Sequence, residues 1–285
     1  MKILFTKMSG AGNDFVVVDN RSGLISDPHK FSVAVCNRRL GIGADGVLLV
    51  ETSDKADFTM KYYNADGSDA GMCGNGGRCI AKYAFDNSIV NKDNFKFDVF
   101  GYIYAASRID SVIYELKMKN PIDLKPNQEI KLDKRTVKGN YLNTGTDHSV
   151  IFIEDNPGIG DLDATDVFNL GRTIRYHEVY QPKGANVNFV SKTGSNSIKI
   201  RTYERGVEDE TLACGTGSVA SALLSSIKFG MQSPVNVNVL SGAVLNISFK
   251  RDGKNSFSEV KLKGPAETVF SGIIDLKNSF DIAYE

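Results

Sequence analysis

Two stretches of this chain carry the same unusual pattern. Met72-Cys73-Gly74-Asn75-Gly76-Gly77-Arg78-Cys79-Ile80-Ala81 sets a cysteine directly before a glycine-rich entry into an apolar helical run, and Ala213-Cys214-Gly215-Thr216-Gly217-Ser218-Val219-Ala220 repeats the Cys-Gly-x-Gly core. The second cysteine follows the first by 141 positions, close to half of the 285 residues. Both stretches read as helix N-termini. Glycine inside a helix costs up to about 1 kcal/mol relative to alanine, so this density of glycine requires a compensating reason. Without a Cβ, the first-turn N–H groups approach a ligand closely, and they have no partner within the helix. They form an anion site. The same helix end carries about half a positive charge, which stabilises a thiolate and lowers a cysteine pKa from its free value of about 8.5. Each motif thus offers an activated thiol beside a carboxylate cradle.

The surroundings of the two motifs are duplicated as well. Asp27-Pro28 opens a helix with Phe31, Val35 and Leu40 on its apolar face and Gly41 as its stop. A strand over 57–64 ends in Asn64-Ala65-Asp66-Gly67-Ser68-Asp69, a turn leading to Cys73. In the second half a helix from about Asp163 carries Val167, Leu170 and Ile174, and a strand over 197–203 ends in Glu204-Arg205-Gly206 before Cys214. Asp27 to Cys73 spans 46 positions and Asp163 to Cys214 spans 51, an internal duplication. Further strands are expected at 2–5, 14–18, 47–50, 95–99, 102–106, 112–118, 141–143, 149–153, 187–190, 235–239, 243–249, 259–263 and 267–274. The helix over 215–229 is apolar around much of its circumference, as suits a helix enclosed by a sheet. The expected fold class is α+β: two pseudo-symmetric domains, each an antiparallel-rich sheet wrapped around a central helix. The halves run over 1–119 and 120–263, the first completed by a C-terminal strand at about 264–285.

Composition excludes several alternatives. Lysine plus arginine equals aspartate plus glutamate at 34 each, so no basic surplus points to nucleic acid or an anionic membrane. Met1-Lys2-Ile3-Leu4-Phe5-Thr6-Lys7 turns polar too soon for a signal peptide, and no apolar run approaches the roughly 18 residues of a membrane span. The expected compartment is the cytoplasm, where four cysteines are thiols rather than disulfides. They lack the paired spacing of a zinc site. Cys36 reads as a small core residue. Gly41-Ile42-Gly43-Ala44-Asp45-Gly46 precedes a strand instead of following one, which discounts a nucleotide loop. The Asn64 turn lacks a glutamate at the twelfth position of a calcium loop, where Asn75 stands. Cys73 is followed by Arg78 at a spacing one residue short of a cysteine phosphatase cradle, and Cys214 has no such arginine.

With two halves facing across a cleft, the two thiols flank one ligand. One thiolate then removes a proton from one face of a stereocentre while the opposite thiol delivers one to the other face. The amide groups of both glycine-rich turns stabilise the charge that develops on an adjacent carboxylate. No metal or organic cofactor is required. The motifs around Asn64, Cys73, Tyr203-Glu204-Arg205-Gly206 and Cys214, together with the opening Lys7-Met8-Ser9-Gly10-Ala11-Gly12-Asn13-Asp14-Phe15, resemble diaminopimelate epimerase. The resemblance implies a cofactor-independent isomerase of lysine and peptidoglycan precursor biosynthesis, interconverting LL- and meso-2,6-diaminopimelate, and a homodimer in which Phe270 stands where some members have a contact tyrosine. By the same resemblance Cys73 and Cys214 are the acid/base residues, with His148 and Glu204 aiding their proton exchange. Gly74, Asn75, Gly215 and Thr216 hold the reacting carboxylate, and Asn13, Asn64, Asn186 and Arg205 hold the rest of the substrate, with Glu204 near the amine. Many members carry glutamine at the position of Gly46 and Gly-Asn-Pro-His where this chain has Gly145-Thr146-Asp147-His148. The rival reading is another two-cysteine racemase of this fold, acting on proline, hydroxyproline or histidine.

Overall fold

The computed structural model of the protein describes residues 2–275. The chain divides into two compact units, Met1–Leu116 with Pro265–Glu285, and Lys117–Gly264. The part of the expected closing strand beyond residue 275 lies outside the described residues.

The first unit begins with an antiparallel hairpin of β1 (Lys2–Gly10) and β2 (Asn13–Asp19). Helix α1 (Pro28–Cys36) is capped by Asp27, whose carboxylate accepts from the Lys30 N–H at 3.1 Å. It ends five residues before the predicted glycine stop. Asn37 Oδ1 accepts from the N–H groups of both Arg39 and Leu40, a local turn that competes with the helix and leaves Leu40 exposed. Strand β3 (Gly46–Glu51) pairs parallel with β2, and β4 (Phe58–Asn64) pairs antiparallel with β3. The short β5 (Asp69–Ala70) leads into α2 (Gly74–Asp86). Then β6 (Asn94–Val99) runs parallel to β4 and continues antiparallel through β7 (Tyr102–Arg108) to β8 (Ile113–Lys117).

The second unit repeats this plan. Strand β9 (Ile122–Leu132) pairs antiparallel with β10 (Arg135–Asn143), which pairs with β11 (Asp147–Phe152). Helix α3 (Val167–Arg175) is capped by Asp166, three residues later than predicted. Strand β12 (Asn186–Gly194) is parallel to β11, β13 (Ser197–Glu204) antiparallel to β12, and β14 (Asp209–Thr211) leads into α4 (Gly215–Phe229). Next β15 (Val235–Asn238) runs parallel to β13, followed by the antiparallel β16 (Val244–Arg251) and β17 (Phe257–Pro265). The chain then returns to the first unit as β18 (Glu267–Asp275), antiparallel to β1. The two pairing schemes correspond strand for strand, with β18 beside β1 as β9 is beside β10. These are two pseudo-symmetric α+β halves. Strand β9 and the first part of β10 were not expected. Pro126 and a charged sequence hide β9, and the register shifts after Gly139, as proline in an edge strand allows.

In each unit one helix lies within the sheet's apolar face and one packs on the other face. Phe31 and Val35 of α1 join Val16, Val18, Val47 and Leu49 in one core cluster. Helix α2 packs against β1 to β4 and β7. In the second unit Val167 and Ile174 of α3 join Val187, Phe189 and Tyr203, while α4 packs against β10 to β13, β15 and β16. Strands buried on both faces explain unbroken apolar runs such as Val47-Leu48-Leu49-Val50. Gly171 of α3 lies so close to β13 that a Cβ there would be 2.5 Å from Tyr203 Cβ. Among the described residues no helix is long and apolar enough to cross a membrane.

Candidate active site

The two motif cysteines occupy the same position in the two units: each is the N-cap of its enclosed helix. Cys73 has φ −104° and ψ 122°, and its sulfur accepts from the Gly76 N–H at 3.4 Å. Cys214 has φ −116° and ψ 112°, and its sulfur accepts from the Gly217 N–H at 3.4 Å. Sulfur therefore does what a serine or aspartate oxygen does at an ordinary N-cap, and a thiolate does it better because the bond becomes charge-assisted. The first-turn amides of Gly74, Asn75, Gly215 and Thr216 lie at helix positions that have no intrahelical acceptor.

The rest of each cap differs. In the first unit Cys73 Sγ–H donates to Asn13 Oδ1 at 3.6 Å, and Asn75 Nδ2 donates to the same oxygen at 3.5 Å. Asn13 Nδ2 donates to Asp45 at 2.6 Å, so its amide orientation is set from behind. Asp45 accepts from Arg38, which also forks onto both oxygens of Asp14, and Lys7 pairs with Asp14 at 2.7 Å. Burial raises the Asp14 pKa, but the bonds from Arg38 and Lys7 outweigh it and bring it down to about 2. Asn64 sits at the end of β4, where its Nδ2 donates to Ser68 Oγ at 3.0 Å.

In the second unit Thr216 Oγ1 lies 3.6 Å from Cys214 Sγ and 3.0 Å from His148 Nε2. His148 is fully buried, and burial, reinforced by the charge of Arg205, pushes its pKa down to about 3. It is a neutral imidazole at neutral pH. Asn188 Nδ2 donates to His148 Nδ1 at 3.2 Å and to the Ser149 carbonyl, while Asn188 Oδ1 accepts from Thr202. That orientation leaves the imidazole hydrogen on Nε2, aimed at the hydroxyls of Thr216 and Thr146. His148 thus meets Cys214 through Thr216.

Arg205 and Asn186 are joined: the Arg205 N–H donates to Asn186 Oδ1 at 2.9 Å, and Asn186 Nδ2 donates to the Asp147 carbonyl. Arg205 Nη1 donates to Asp147 Oδ2 at 2.9 Å and to the Gly184 carbonyl at 3.0 Å. Asp147 also accepts from Tyr141 and Asn143; burial raises its pKa, but these bonds and Arg205 together lower it below the usual carboxylate range. Glu204, at the end of β13, accepts from Thr211 Oγ1 at 2.9 Å.

The structure thus gathers Asn13, Cys73, Gly74 and Asn75 at one helix end, and His148, Cys214, Gly215 and Thr216 at the other. Sequence reasoning missed Asn188 and left Thr146 aside. Asn188 lies two residues after Asn186 in the fully buried first part of β12, and a second buried amide on one strand was the available signal. At Gly46 a Cβ would sit 2.5 Å from Tyr62 Cε2 and 2.5 Å from the Tyr63 carbonyl. The Tyr62 ring, packed edge-on against Phe15, fills the place of a longer side chain there.

The family model described as diaminopimelate epimerase matches residues 5–103 and 140–269. A diaminopimelate epimerase of Hydrogenobaculum sp. is 40% identical, covering 95% of this chain and 98% of that protein. One of Chlorobaculum tepidum is 42% identical, covering 94% of this chain and all of that protein. The fold is also that of a probable proline racemase from Agrobacterium radiobacter, at a TM-score of 0.74 with 13% identity, over 97% of this chain and 94% of that one. At that identity the racemase shares the architecture alone, whereas the epimerases share the sequence end to end. The chain belongs to the diaminopimelate epimerase family.

Proposed function

We propose that the protein interconverts LL- and meso-2,6-diaminopimelate by direct proton transfer between carbon and two thiols, Cys73 and Cys214. The carrying observation is the matched capping of the two sulfurs, each 3.4 Å from the third amide of its helix in duplicated units. Inverting a stereocentre by direct proton transfer takes a base at one face and an acid at the other, and the duplication supplies a thiol for each. One thiolate takes the α proton, and the electron pair passes into the adjacent carboxylate. The amides of Gly74, Asn75, Gly215 and Thr216 hold the charge there. The second thiol then protonates the opposite face and becomes the thiolate. In the reverse direction the roles exchange.

Thr216 links His148 to Cys214, so in this reading a neutral His148 orients the hydroxyl that steadies the Cys214 thiolate. Glu204 faces the amine. Asn13, Asn64, Asn186 and Arg205 hold the substrate; the planar guanidinium of Arg205 suits the second carboxylate. The enzyme acts in the cytoplasm as a homodimer, a reading supported by the apolar side chains Leu4, Val269, Phe270 and Ile273 that β1 and β18 expose.

The test is incubation of reduced protein with LL-diaminopimelate in deuterated water. Meso product carrying deuterium at the α carbon is expected. Folded protein with free thiols that gives neither signal would refute the substrate and move the reaction to another amino acid.

A further inference from the structure

The first unit holds a chain of side chains whose hydrogen bonds run in one direction only. Arg78 Nη2 donates to Asn75 Oδ1 at 3.0 Å, Asn75 Nδ2 donates to Asn13 Oδ1 at 3.5 Å, and Asn13 Nδ2 donates to Asp45 Oδ2 at 2.6 Å. A guanidinium has donors and no acceptor. Asp45 is its opposite: its two oxygens receive Asn13 Nδ2, the Asp14 N–H at 3.1 Å and Arg38 Nη2 at 2.7 Å. The two ends therefore fix what a pair of carboxamides leaves open. Arg78 draws the Asn75 oxygen toward itself, Asp45 draws the Asn13 nitrogen toward itself, and the donor and acceptor left between them match. The far end is anchored too, because Arg78 is fully buried with Nη1 on the Gly74 carbonyl at 3.1 Å and Nε on the Pro265 carbonyl at 3.2 Å.

The Asn13 oxygen so placed lies 3.6 Å from Cys73 Sγ, and it accepts from the S–H. An acceptor beside a thiol bonds to the neutral form and faces the thiolate with a lone pair, so it favours the proton on sulfur. The second unit has a different arrangement. Thr216 stands in the place of Asn75 and Val219 in the place of Arg78. The Thr216 hydroxyl, 3.6 Å from Cys214 Sγ, serves as donor or acceptor by turning about one bond. The charged and ionisable groups around the first chain are Lys7 on β1 and Asp14 on β2, which pair with each other, Arg38, which bridges Asp14 and Asp45, Arg78 and Cys79 on α2, and Glu267 on β18 beside Cys79. We propose that Asp45 is a positioning residue of the reaction: acting through Asn13, it fixes an acceptor at Cys73 and so favours the protonated form of that sulfur, the form that delivers a proton to carbon. The bearing of this on turnover rests on the two-thiol reading.

The experiment uses the full chain without substrate, in a Cys214→Ser background that retains Cys73 as the one site thiol; Cys36 and Cys79 are buried and pushed up to about 12. The pH dependence of iodoacetamide alkylation, with mass mapping of the modified cysteine, gives the Cys73 midpoint. Asp45→Ala releases the Asn13 amide to turn its nitrogen toward the sulfur, and is expected to lower the midpoint by about 0.5–1 pH unit, roughly three- to tenfold more thiolate on the rising limb. Asp45→Glu keeps an acceptor-only group and should restore part of the shift. In an Asn13→Ala background Asp45→Ala is expected to leave the midpoint unmoved, because the amide through which Asp45 acts is gone. An equal shift with and without Asn13 would mean that the charge of Asp45 acts directly, and would overturn the proposal, as would an unmoved midpoint in folded Asp45→Ala. Should Asp45→Ala not fold, Asn13→Ala alone decides: losing the acceptor should lower the midpoint, and an unmoved or raised one overturns the proposal. Conversion of LL-diaminopimelate by the unaltered enzyme tests the underlying reading separately, since the midpoints need no substrate.

Discussion

Gly76 and Gly217 hold the same place in the same motif, yet alanine at the two is expected to have unequal consequences. A Cβ on Gly217 would lie 2.2 Å from Asn188 Oδ1 and 3.2 Å from Cys214 Sγ. Asn188 is fully buried, and its amide holds His148, Ser149 and Thr202, so it cannot turn aside without breaking one of those bonds. Overpacking costs about 1–3 kcal/mol and a lost buried hydrogen bond about 1–3 more, against about 1 kcal/mol returned by alanine's helix propensity. Gly217→Ala should therefore lose about 1–5 kcal/mol. At Gly76 the nearest atoms are the tips of Leu48, Phe15 and Met60, at 3.3, 3.4 and 3.5 Å. They need to move by a few tenths of an ångström, and Gly76→Ala should stay within about 1 kcal/mol of the parent. Urea unfolding midpoints of the two variants measure the difference. Turnover should separate them too, because displacing the Cys214 cap by even 1.4 kcal/mol in the transition state costs about tenfold in rate. If Gly217→Ala matches Gly76→Ala in both stability and turnover, the packing around Asn188 is not the constraint described above.

Cys214→Ser should lower epimerisation by at least about a thousandfold, because a serine hydroxyl is a far weaker acid than a thiol; meso product formed from LL substrate in deuterated water measures it. Asp147→Asn removes the charge that steadies Arg205 Nη1 at 2.9 Å, a partly exposed pair worth about 1 kcal/mol. It should raise KM for LL-diaminopimelate about fivefold with a smaller change in kcat, checked by steady-state kinetics. His148 is held at about 3 in the fold, below the free histidine value, so between about pH 6.5 and 3 only the unfolded chain takes up its proton. Stability should consequently fall on acidification below about pH 6.5, by up to about 1.4 kcal/mol per unit. Urea midpoints at successive pH values measure the fall, and His148→Gln should flatten it.

What the sequence made legible was whatever depends on local pattern. A cysteine followed by glycines and an apolar run reads as a capped helix entry, and two of them in matching surroundings announce the duplication. The end of α1 was misplaced because Asn37 stops it through side-chain bonds to Arg39 and Leu40, a choice between two local structures that periodicity does not weigh. Strand β9 was missed because an edge strand need not alternate cleanly and tolerates Pro126. The buried network behind Cys214 was only half legible. His148 and Thr216 stand in motifs, but Asn188 earns its place by pointing inward from β12 at a ring forty residues away in sequence. Gly46, where many family members carry glutamine, is a matter of space. A Cβ there would meet Tyr62 and the Tyr63 carbonyl, which is a fact of two paired strands.

Equal backbones with unequal surroundings suit the chemistry better than a perfect repeat would. In the proposed reading, the carboxylate next to the reacting carbon has two equivalent oxygens, which two equivalent helix ends would serve. The carbon's other substituents are not equivalent: an amine on one side and a long chain with a second charged end on the other. A site with true twofold symmetry could hold the carboxylate but could not tell those two apart. On the proposed mechanism, duplication supplies the part of the task that is symmetric, the two sulfur caps and their amides. Divergence supplies the remainder: Asn13 braced by Asp45 and a buried Arg78 in one unit, a neutral His148 behind Thr216 and an Asp147-braced Arg205 in the other. In that reading, selection for one orientation of an unsymmetrical substrate acts on the residues around the cysteines, while the caps, which would serve the two faces of one carbon, keep the same geometry.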